Sequence, residues 1–345
     1  MLGQGPKEDP MRNSQIATLG AVAAFVLAGS ASAQYFDSFS TSWLPSGAQS
    51  GTLAGTVDMQ NGWTTRDAFT SATTVGKWDQ QVMQVNDANG SRKVFRMSNA
   101  ITSSTYSSQV FSAVSGQVAG ESGSALWNDR GTNGSAPLNP LGYGAYAASD
   151  SFYSKVAFRS ATGAAQTGLS LTLSASAKQS SARMTWLNLQ DTGAGFNVNF
   201  YDAGANGTFA PASTTIASGL SYADLHTLEM GITFVNGVNT VGGQVFGNDI
   251  VRIWLNGSLI HTGTTYESYY YSNASERNAI GTPNAPRLQA VDSMLFRSAG
   301  TAASGTSGNG FYFEDFAIGN TIVPAPGAMA LLGAAGLIAV RRRKA

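Results

Sequence analysis

The amino-acid sequence predicts an all-β protein whose strands form a two-sheet antiparallel sandwich. Charged residues make up only 12% of the 345-residue chain, about half of the roughly 25% found in ordinary globular proteins. The chain also contains 40 glycines, and its apolar residues recur in short runs that Gly, Ser, Asn or Asp interrupt. Helical surfaces are normally covered by Glu and Lys, so this composition favours strands and turns.

Short β-prone runs recur along most of the chain, with spacings close to those of sandwich proteins. The most regular run is 226–235, where Leu228, Met230 and Ile232 alternate with polar or small residues. This alternation places one face of the strand on a core. Long Gly-rich loops are expected at 120–144 and 298–310, and the other predicted strands are 81–85, 93–97, 152–158, 169–175, 184–189, 196–201 and 311–318.

One hairpin is predicted from local chemistry alone. Asn256-Gly257 separates Ile-Val-Arg-Ile-Trp-Leu at 250–255 from Ser-Leu-Ile-His at 258–261. Asn and Gly supply the positive φ angles that a two-residue type I′ turn requires, and the flanking residues are β-branched, aromatic or apolar.

Around this hairpin the sequence resembles the laminin-G-like, concanavalin A-like jelly rolls. The segments that carry the resemblance are 225–229, 249–264, 296–300 and 310–316, with echoes at 96–100 and 182–184. The resemblance implies two antiparallel sheets with Greek-key connectivity over residues 34–320, and it implies no particular activity.

Residues 1–33 are interpreted as a secretory signal peptide. Met-Arg-Asn at 11–13 precedes an apolar run at 16–28, and Ala31-Ser32-Ala33 forms an Ala-x-Ala cleavage site. Cleavage by signal peptidase after Ala33 would make Gln34 the first mature residue. Acidic residues at positions 8 and 9 do not suit a positive n-region, so we place the true start at Met11. Detection of a peptide from residues 1–10 in cells would refute this start.

Residues 321–345 are interpreted as a sorting tail. Val323-Pro324-Ala325-Pro326-Gly327 precedes an apolar run, and Arg341-Arg342-Arg343 follows it. This arrangement resembles the PEP-CTERM signals, although Ala325 stands where that family usually has Glu. The resemblance implies processing by a membrane-embedded exosortase, while an uncut C-terminal anchor remains the alternative.

The length and charge of this tail agree with membrane insertion. At 1.5 Å per residue, residues 322–340 just reach across a ~30 Å hydrocarbon core. The basic cluster that follows favours a cytoplasmic C-terminus. Residues 34–320 are therefore expected outside the cytoplasmic membrane, at the cell surface or in the extracellular space. The tail would anchor them transiently or permanently.

Composition excludes several classes of function. The chain has no cysteine, so disulfides, thiol nucleophiles and thiolate metal sites are excluded. Of its 20 basic and 20 acidic residues, six basic and two acidic residues lie outside 34–320, which leaves about −4 on the body. Without a basic stripe, nucleic acid is not an expected partner.

No catalytic motif is recognisable. His226 and His261 lack a third strong metal ligand at any motif spacing. Glu314 and Asp315 are neighbours, so in a regular strand they point to opposite faces and cannot form the facing carboxylate pair that a glycosidase needs. No catalytic residue is therefore predicted, and a hydrolase would need residues that lie far apart in sequence.

Two kinds of ligand contact are predicted. No cofactor is predicted, and calcium is the one candidate, because Asn248, Asp249 and Asp315 offer the oxygen ligands that a hard cation prefers, although their spacing is not diagnostic. Aromatic residues could form a sugar-stacking platform, or could instead cover the core. These aromatic residues are Trp63, Trp78, Tyr266, Tyr269, Tyr270 and Tyr271.

The sequence thus predicts an exported cell-surface or matrix protein that is non-enzymatic and has a structural or adhesive role in extracellular polymer. Signal peptidase and exosortase are the expected processing partners, and extracellular polysaccharide is the candidate ligand. Two alternatives remain open, a carbohydrate-binding module and a polysaccharide-active hydrolase.

Overall fold

Two antiparallel sheets stacked face to face form the framework of the protein in a computed structural model. All described residues belong to one unit, Ala33–Ala345. The structure describes residues 34–37, 63–65, 79–87, 90–102, 109–113, 119–120, 151–176, 183–203, 213–235, 238–272, 290–298, 300–320 and 322.

The eight-stranded sheet has the order β16-β15-β12-β7-β19-β4-β3, and β1 pairs with β19 beside this path. Its strands are β1 (Gln34–Asp37), β3 (Gln80–Asp87), β4 (Gly90–Met97), β7 (Ser151–Ser160), β12 (His226–Thr233), β15 (Ile250–Leu255), β16 (Ser258–Gly263) and β19 (Phe311–Gly319).

The seven-stranded sheet has the order β11-β10-β9-β8-β18-β5-β2. Its strands are β2 (Thr64–Thr65), β5 (Gln109–Phe111), β8 (Ser170–Ser176), β9 (Leu187–Asp191), β10 (Phe196–Phe200), β11 (Thr214–Leu220) and β18 (Ser293–Arg297). Two small pairs complete the strands: β6 (Ala119–Gly120) with β17 (Ala290–Val291), and β13 (Asn239–Val241) with β14 (Gln244–Phe246).

The predicted fold class is confirmed. All strand pairs are antiparallel, and strands that are distant in sequence lie side by side, as β19 does between β7 and β4. This is a jelly-roll sandwich. In the described ranges, helix is confined to one turn and a half in α1 (Glu267–Ser272) and a 3-10 turn at Ser304–Thr306.

The core lies between the two sheets and takes every second residue of their strands. Phe152, Val156 and Phe158 enter it from β7, and Leu171 and Leu173 enter it from β8. Full burial of one such side chain contributes about 1.5–3 kcal/mol. The residues between them point to the two outer faces of the sandwich.

A β-bulge in β19 keeps this alternation in phase. Phe311 and Phe313 face the core at odd positions, whereas Phe316 and Ile318 face it at even positions. The pairing with β7 shifts between Glu314 and Phe316, and Asp315 has φ 25°. The extra residue restores the inward phase of the second half of the strand.

The ends of the sandwich domain meet. Gln34 pairs with Gly319 in the β1–β19 ladder. Beyond β19, Ser151 Oγ donates to the Asn320 carbonyl at 2.6 Å. The chain then crosses the outer face of β7, because a Cβ added at Gly231 on β12 would lie 3.1 Å from Ile322 Cγ2.

Local predictions hold better than long-range ones. Asn256 and Gly257 have φ 49° and 79°, as a type I′ turn requires. The sequence did not predict β11 or β18. Of the tyrosines after the hairpin, Tyr269, Tyr270 and Tyr271 lie in α1 and Tyr266 directly precedes it. No helix in the described ranges is long and apolar enough to cross a membrane. The predicted signal segment and the tail from Val323 onward lie outside the described residues.

Candidate functional site

A row of polar side chains crosses the outer face of the seven-stranded sheet. In this face, Arg297 pairs with Gln109 on one side and with Thr172 on the other. The row continues through the pairs Thr172–Asn188, Asn188–Asn199 and Asn199–Thr215. We call these six residues the polar row: Gln109, Arg297, Thr172, Asn188, Asn199 and Thr215.

The open end of the polar row is a hydrogen-bonded amide network. Asn199 Nδ2 donates to Gln190 Oε1 at 3.2 Å and to Asn188 Oδ1 at 3.4 Å. Thr215 Oγ1 donates to Asn199 Oδ1 at 2.8 Å. Gln190 and Thr215 are exposed and Asn188 is half-buried. This end therefore presents carboxamide and hydroxyl groups to solvent in fixed orientations.

An aromatic pair lies two residues beyond Asn188 and Asn199 along the same two strands. Trp186 and Tyr201 stand next to Leu187 and Phe200, and the Tyr201 amide donates to the Trp186 carbonyl at 3.0 Å. Their rings stack with centroids 4.6 Å apart and an interplanar angle of 22°. Both side chains are half-buried, and Trp186 Nε1 donates to Thr172 Oγ1 at 3.3 Å.

The other end of the polar row is buried, and we call it the closed end. Gln109 and Ser174 have no exposed surface, and Arg297 is 8% exposed. Phe111 and Leu295, the next outward pair along β5 and β18, are also buried but do not belong to the core between the sheets. The closed end thus combines polar side chains with an apolar floor.

The outer face of the eight-stranded sheet holds a buried Tyr–Glu pair. Tyr153 Oη donates to Glu229 Oε2 at 2.5 Å, and both residues are more than nine-tenths buried. Burial and the hydrogen bond to Glu229 raise the pKa of Tyr153 far above its ordinary value, so the phenol stays protonated. Lys155 and Trp254 flank Glu229 as its cross-strand partners.

A neutral cluster of ion pairs lies farther along the same face. Arg92 binds Glu314 through Nε at 2.8 Å and Asp87 through Nη1 at 2.8 Å. Arg159 binds the same two carboxylates at 2.7 and 2.6 Å, and its guanidinium lies 5.6 Å from the Tyr312 ring centroid. Burial raises the pKa of Glu314, although Arg92 acts to lower it. Two cations satisfy two anions here, so the cluster serves the structure of the sheet.

The described aromatic residues that were proposed from sequence as sugar contacts lie in two places: Trp63 is in the core, and Tyr266, Tyr269 and Tyr270 pack on one another. Trp63 is 1% exposed and packs at 5.0 Å from Phe316 in the core. Tyr266 and Tyr270 are also buried, whereas Tyr269 is half-buried. The side chain of Tyr271 and all of Trp78 lie outside the described residues.

Two of the three residues proposed as calcium ligands lie close together. The amides of Asn248 and Asp249 both donate to Glu267 Oε2, at 2.7 and 3.4 Å. Asp249 itself accepts from the Val235 amide and from Thr265 Oγ1. Asp315 is three strands away in the order β15-β12-β7-β19. No group of three His, Cys, Asp or Glu side chains among the described residues could hold a metal.

The two histidines occupy separate places. His226 Nε2 lies 2.9 Å from the Ser221 carbonyl oxygen, and His261 Nε2 lies 3.4 Å from Asp202 Oδ2. Of the predicted processing residues, Gln34 begins β1. The other predicted processing residues lie outside the described residues: Ala31, Ala33, Val323, Pro324, Pro326, Gly327, Arg341, Arg342 and Arg343.

The polar row and the aromatic pair were not singled out from sequence, although a signal was present. Asn188 and Gln190 alternate with Leu187 and Leu189 in one predicted strand. The next predicted strand shows the same alternation of asparagine with apolar residues. Strands whose outward positions are mostly amides, instead of the usual mix of charges, are the feature that could have marked this face.

Comparison with known proteins found similarity to solved structures. No family model and no curated protein sequence matches the chain. A conserved carbohydrate esterase from Shiga toxin-encoding bacteriophage phi24B shares 13% identity over 81% of this chain and 98% of its own, with a TM-score of 0.37. Alginate lyase A1-II′, of polysaccharide lyase family 7, shares 11% over 74% and 90%, with a TM-score of 0.35.

A third similar structure is the sialidase CBM40 of Ruminococcus gnavus, bound to α2,3 sialyllactose. It shares 14% identity over 59% of this chain and 90% of its own, with a TM-score of 0.26. At these identities and scores the likeness concerns the sandwich architecture.

The prediction from sequence that the protein is non-enzymatic is contradicted by the comparison with solved structures. The similar solved structures include a carbohydrate esterase, a glycosidic hydrolase and alginate lyases. The prediction had depended on the lack of a local carboxylate motif, and residues that meet only in the folded sheet leave no such motif. We do not retain it.

Proposed function

We propose that the protein binds polysaccharide across the outer face of its seven-stranded sheet. The observation that supports this proposal is the polar row in register across six strands, with the stacked Trp186–Tyr201 pair beside its open end. Within the described residues, this face combines an aromatic platform with oriented hydrogen-bonding groups.

The chemistry of the open end suits a sugar. Each sugar hydroxyl both donates and accepts a hydrogen bond, and a carboxamide offers two donors and an acceptor in one plane. Asn188 and Gln190 present such groups at the surface. The apolar C–H face of a pyranose packs on an aromatic ring, and Tyr201 provides one at the same surface.

The length of the row favours a polymer. Adjacent strands lie ~4.8 Å apart, so six strands span ~24 Å. A chain of several sugar rings could run across the strands and meet a new side chain at each one. The ligand is thus expected to be contacted along its length.

We also propose that this binding takes place outside the cell. The Ala31-Ser32-Ala33 site and the PEP-CTERM-like tail support export by signal peptidase and sorting by an exosortase. The protein would then act at the cell surface or within extracellular polymer. Comparison of the secreted chain's mass in cells with and without an exosortase would test the sorting.

Retention on polysaccharides tests the proposed binding. The purified protein is passed over insoluble or immobilised polysaccharides, and we expect retention on at least one of them. Asn188→Ala combined with Asn199→Ala should reduce it at least tenfold, because both substitutions remove groups of the amide network. Tyr312→Ala on the opposite sheet is the matched control and should retain binding. Failure of the wild-type protein to bind any polysaccharide would refute the proposal.

A polysaccharide-active enzyme is the second candidate, and the Tyr153–Glu229 pair favours it. A protonated tyrosine 2.5 Å from a buried carboxylate is a proton donor and acceptor held together, the arrangement that general acid–base catalysis uses. Product release from a polysaccharide, lost in Glu229→Gln but kept in Asp224→Asn at an exposed position, would support this candidate. If none of the polysaccharides that retain the protein releases a product, enzymatic action on those polymers is excluded.

A further inference from the structure

An unpartnered amide lies at the closed end of the polar row. Gln109 is 0% exposed, and among the described residues neither its Nε2 nor its Oε1 has a hydrogen-bond partner. Ser174 Oγ is likewise fully buried and without a partner in the described part of the chain. Both side chains stand on the outer face of the same sheet, on β5 and β8.

Two such groups on one face call for a physical explanation. Each unsatisfied buried polar group costs about 1–3 kcal/mol, and native proteins contain few of them. The strands β5 and β8 flank β18 and lie two strand spacings apart, ~10 Å. Leu295 on β18 lies between Phe111 on β5 and Ser174 on β8, and Phe111 and Leu295 form an apolar floor; Arg297 on β18 stands beside Gln109.

We propose that this closed end is a sugar subsite that encloses one ring of the polysaccharide. This inference rests on the proposed function, and it specifies which part of the polysaccharide the closed end recognises. The Gln109 carboxamide matches two adjacent hydroxyls, because its N–H₂ can donate to one oxygen while its carbonyl accepts from the other hydroxyl. Ser174 serves a third hydroxyl, and the C–H face of the ring packs on Phe111 and Leu295.

The two ends of the row then have different roles. The open end holds a length of chain with exposed amides and Tyr201, whereas the closed end selects a ring with vicinal hydroxyls. Because Gln109, Ser174 and Leu295 have no exposed surface in this structure, a sugar reaches them only after a local rearrangement on this outer face. Association should therefore be slower than at an open groove.

Gln109→Leu separates this proposal from a structural role for the amide. Leucine removes both polar atoms while keeping most of the volume. If the amide is unsatisfied without a ligand, we expect the melting temperature of the free protein to rise by a few degrees. Binding of the polysaccharide should weaken at least tenfold in the same variant. Gln190→Leu, at the exposed end of the row, is the control and should not raise the melting temperature.

Ser174→Ala gives an independent measurement because it changes the packing little. We expect weaker binding with an unchanged or higher melting temperature. A lower melting temperature for Gln109→Leu would show that a buried water or the chain itself satisfies the amide, and would overturn the proposal. Unchanged binding in both variants would also overturn it, although polysaccharide binding itself would stand. If the wild-type protein binds no polysaccharide, the subsite fails together with the proposed function.

Discussion

Trp186 and Tyr201 stack at 4.6 Å, and the Arg183 guanidinium lies 4.6 Å from the Trp186 ring centroid. Two groups that close to one ring occupy its opposite faces. The indole is thus held between a phenol and a cation, and a cation–π contact of this kind contributes about 0.5–2 kcal/mol. Tyr201 is half-buried, so part of its ring remains exposed to a ligand.

Tyr201→Ala is expected to weaken polysaccharide binding about tenfold, which corresponds to about 1.4 kcal/mol. The substitution removes the stacking surface, whereas Tyr201→Phe keeps it and should bind almost normally. Isothermal titration calorimetry with a soluble oligosaccharide measures the difference. Trp186→Ala should in addition lower the melting temperature, because it removes the support of Tyr201 and the contact with Arg183. Equal affinities for wild type and Tyr201→Ala would exclude Tyr201 as the platform.

Asp79 makes the stability of the eight-stranded sheet depend on pH. It accepts from Arg96 at 2.6 Å, from Ser98 at 2.5 Å and from the Gly308 amide at 2.9 Å. Burial alone would raise the pKa of Asp79, but these hydrogen bonds outweigh it and lower the pKa below its ordinary value. The carboxylate therefore stabilises the folded state above the unfolded-state pKa of about 3.9. This stabilisation is lost as the pH falls through the lower folded-state value.

We expect Asp79→Asn to lower the free energy of unfolding by about 1–2 kcal/mol at pH 7. The difference from wild type should stay constant down to about pH 5 and shrink below pH 4, because the wild-type carboxyl is then protonated as well. Urea denaturation at a series of pH values measures this, with the exposed Asp224→Asn as control. If the difference in free energy of unfolding between wild type and Asp79→Asn does not change with pH, the ionised Asp79 carboxylate is not the source of the stabilisation.

The bulge at Asp315 should tolerate glycine but not valine. Asp315 has φ 25°, where a β-branched side chain is strained and glycine is not. We expect Asp315→Val to lower the free energy of unfolding by more than about 1 kcal/mol, and Asp315→Gly to leave it unchanged or raise it. Valine at Thr227, an outward position in regular β12, is the control. If Asp315→Val and Thr227→Val lower the free energy of unfolding equally, the φ angle at Asp315 is not the cause of the destabilisation.

Gly310 should not tolerate alanine. It has φ 99°, and a Cβ there would collide with the backbone of Met97 and Ser98. Its amide also donates to Gln166 Oε1 at 2.6 Å, and its carbonyl accepts from Gln166 Nε2 at 3.0 Å. We expect Gly310→Ala to lower the free energy of unfolding by about 3 kcal/mol or more. Gly308→Ala, where φ is 75° and the space is open, should cost about 1 kcal/mol. Similar melting temperatures for the two variants would refute the collision.

The sequence predicted those parts of the fold that depend on neighbouring residues. Asn256-Gly257 specifies its turn because the φ angles are a property of those two residues. The alternation of Leu228, Met230 and Ile232 specifies which face of β12 is buried because the strand period is two.

The candidate site could not be predicted in this way, because the residues that are neighbours in the site come from segments that are distant in sequence. Gln109 and Arg297 face each other across β5 and β18 although 188 positions separate them. A strand of three residues such as β5 leaves no periodic signal. The change from odd to even core positions in β19 was visible in the sequence and indicates a bulge. A regular strand was nevertheless predicted there.

The pairing of Gln34 with Gly319 has a mechanical consequence. A load applied to the chain beyond Gly319 pulls β19 along its own axis while β7 holds one side and β1 and β4 hold the other. The ladder bonds would then resist in shear, all at once, instead of being peeled apart one by one. A chain tethered through its C-terminus would transmit tension into the most firmly held strand of the sandwich.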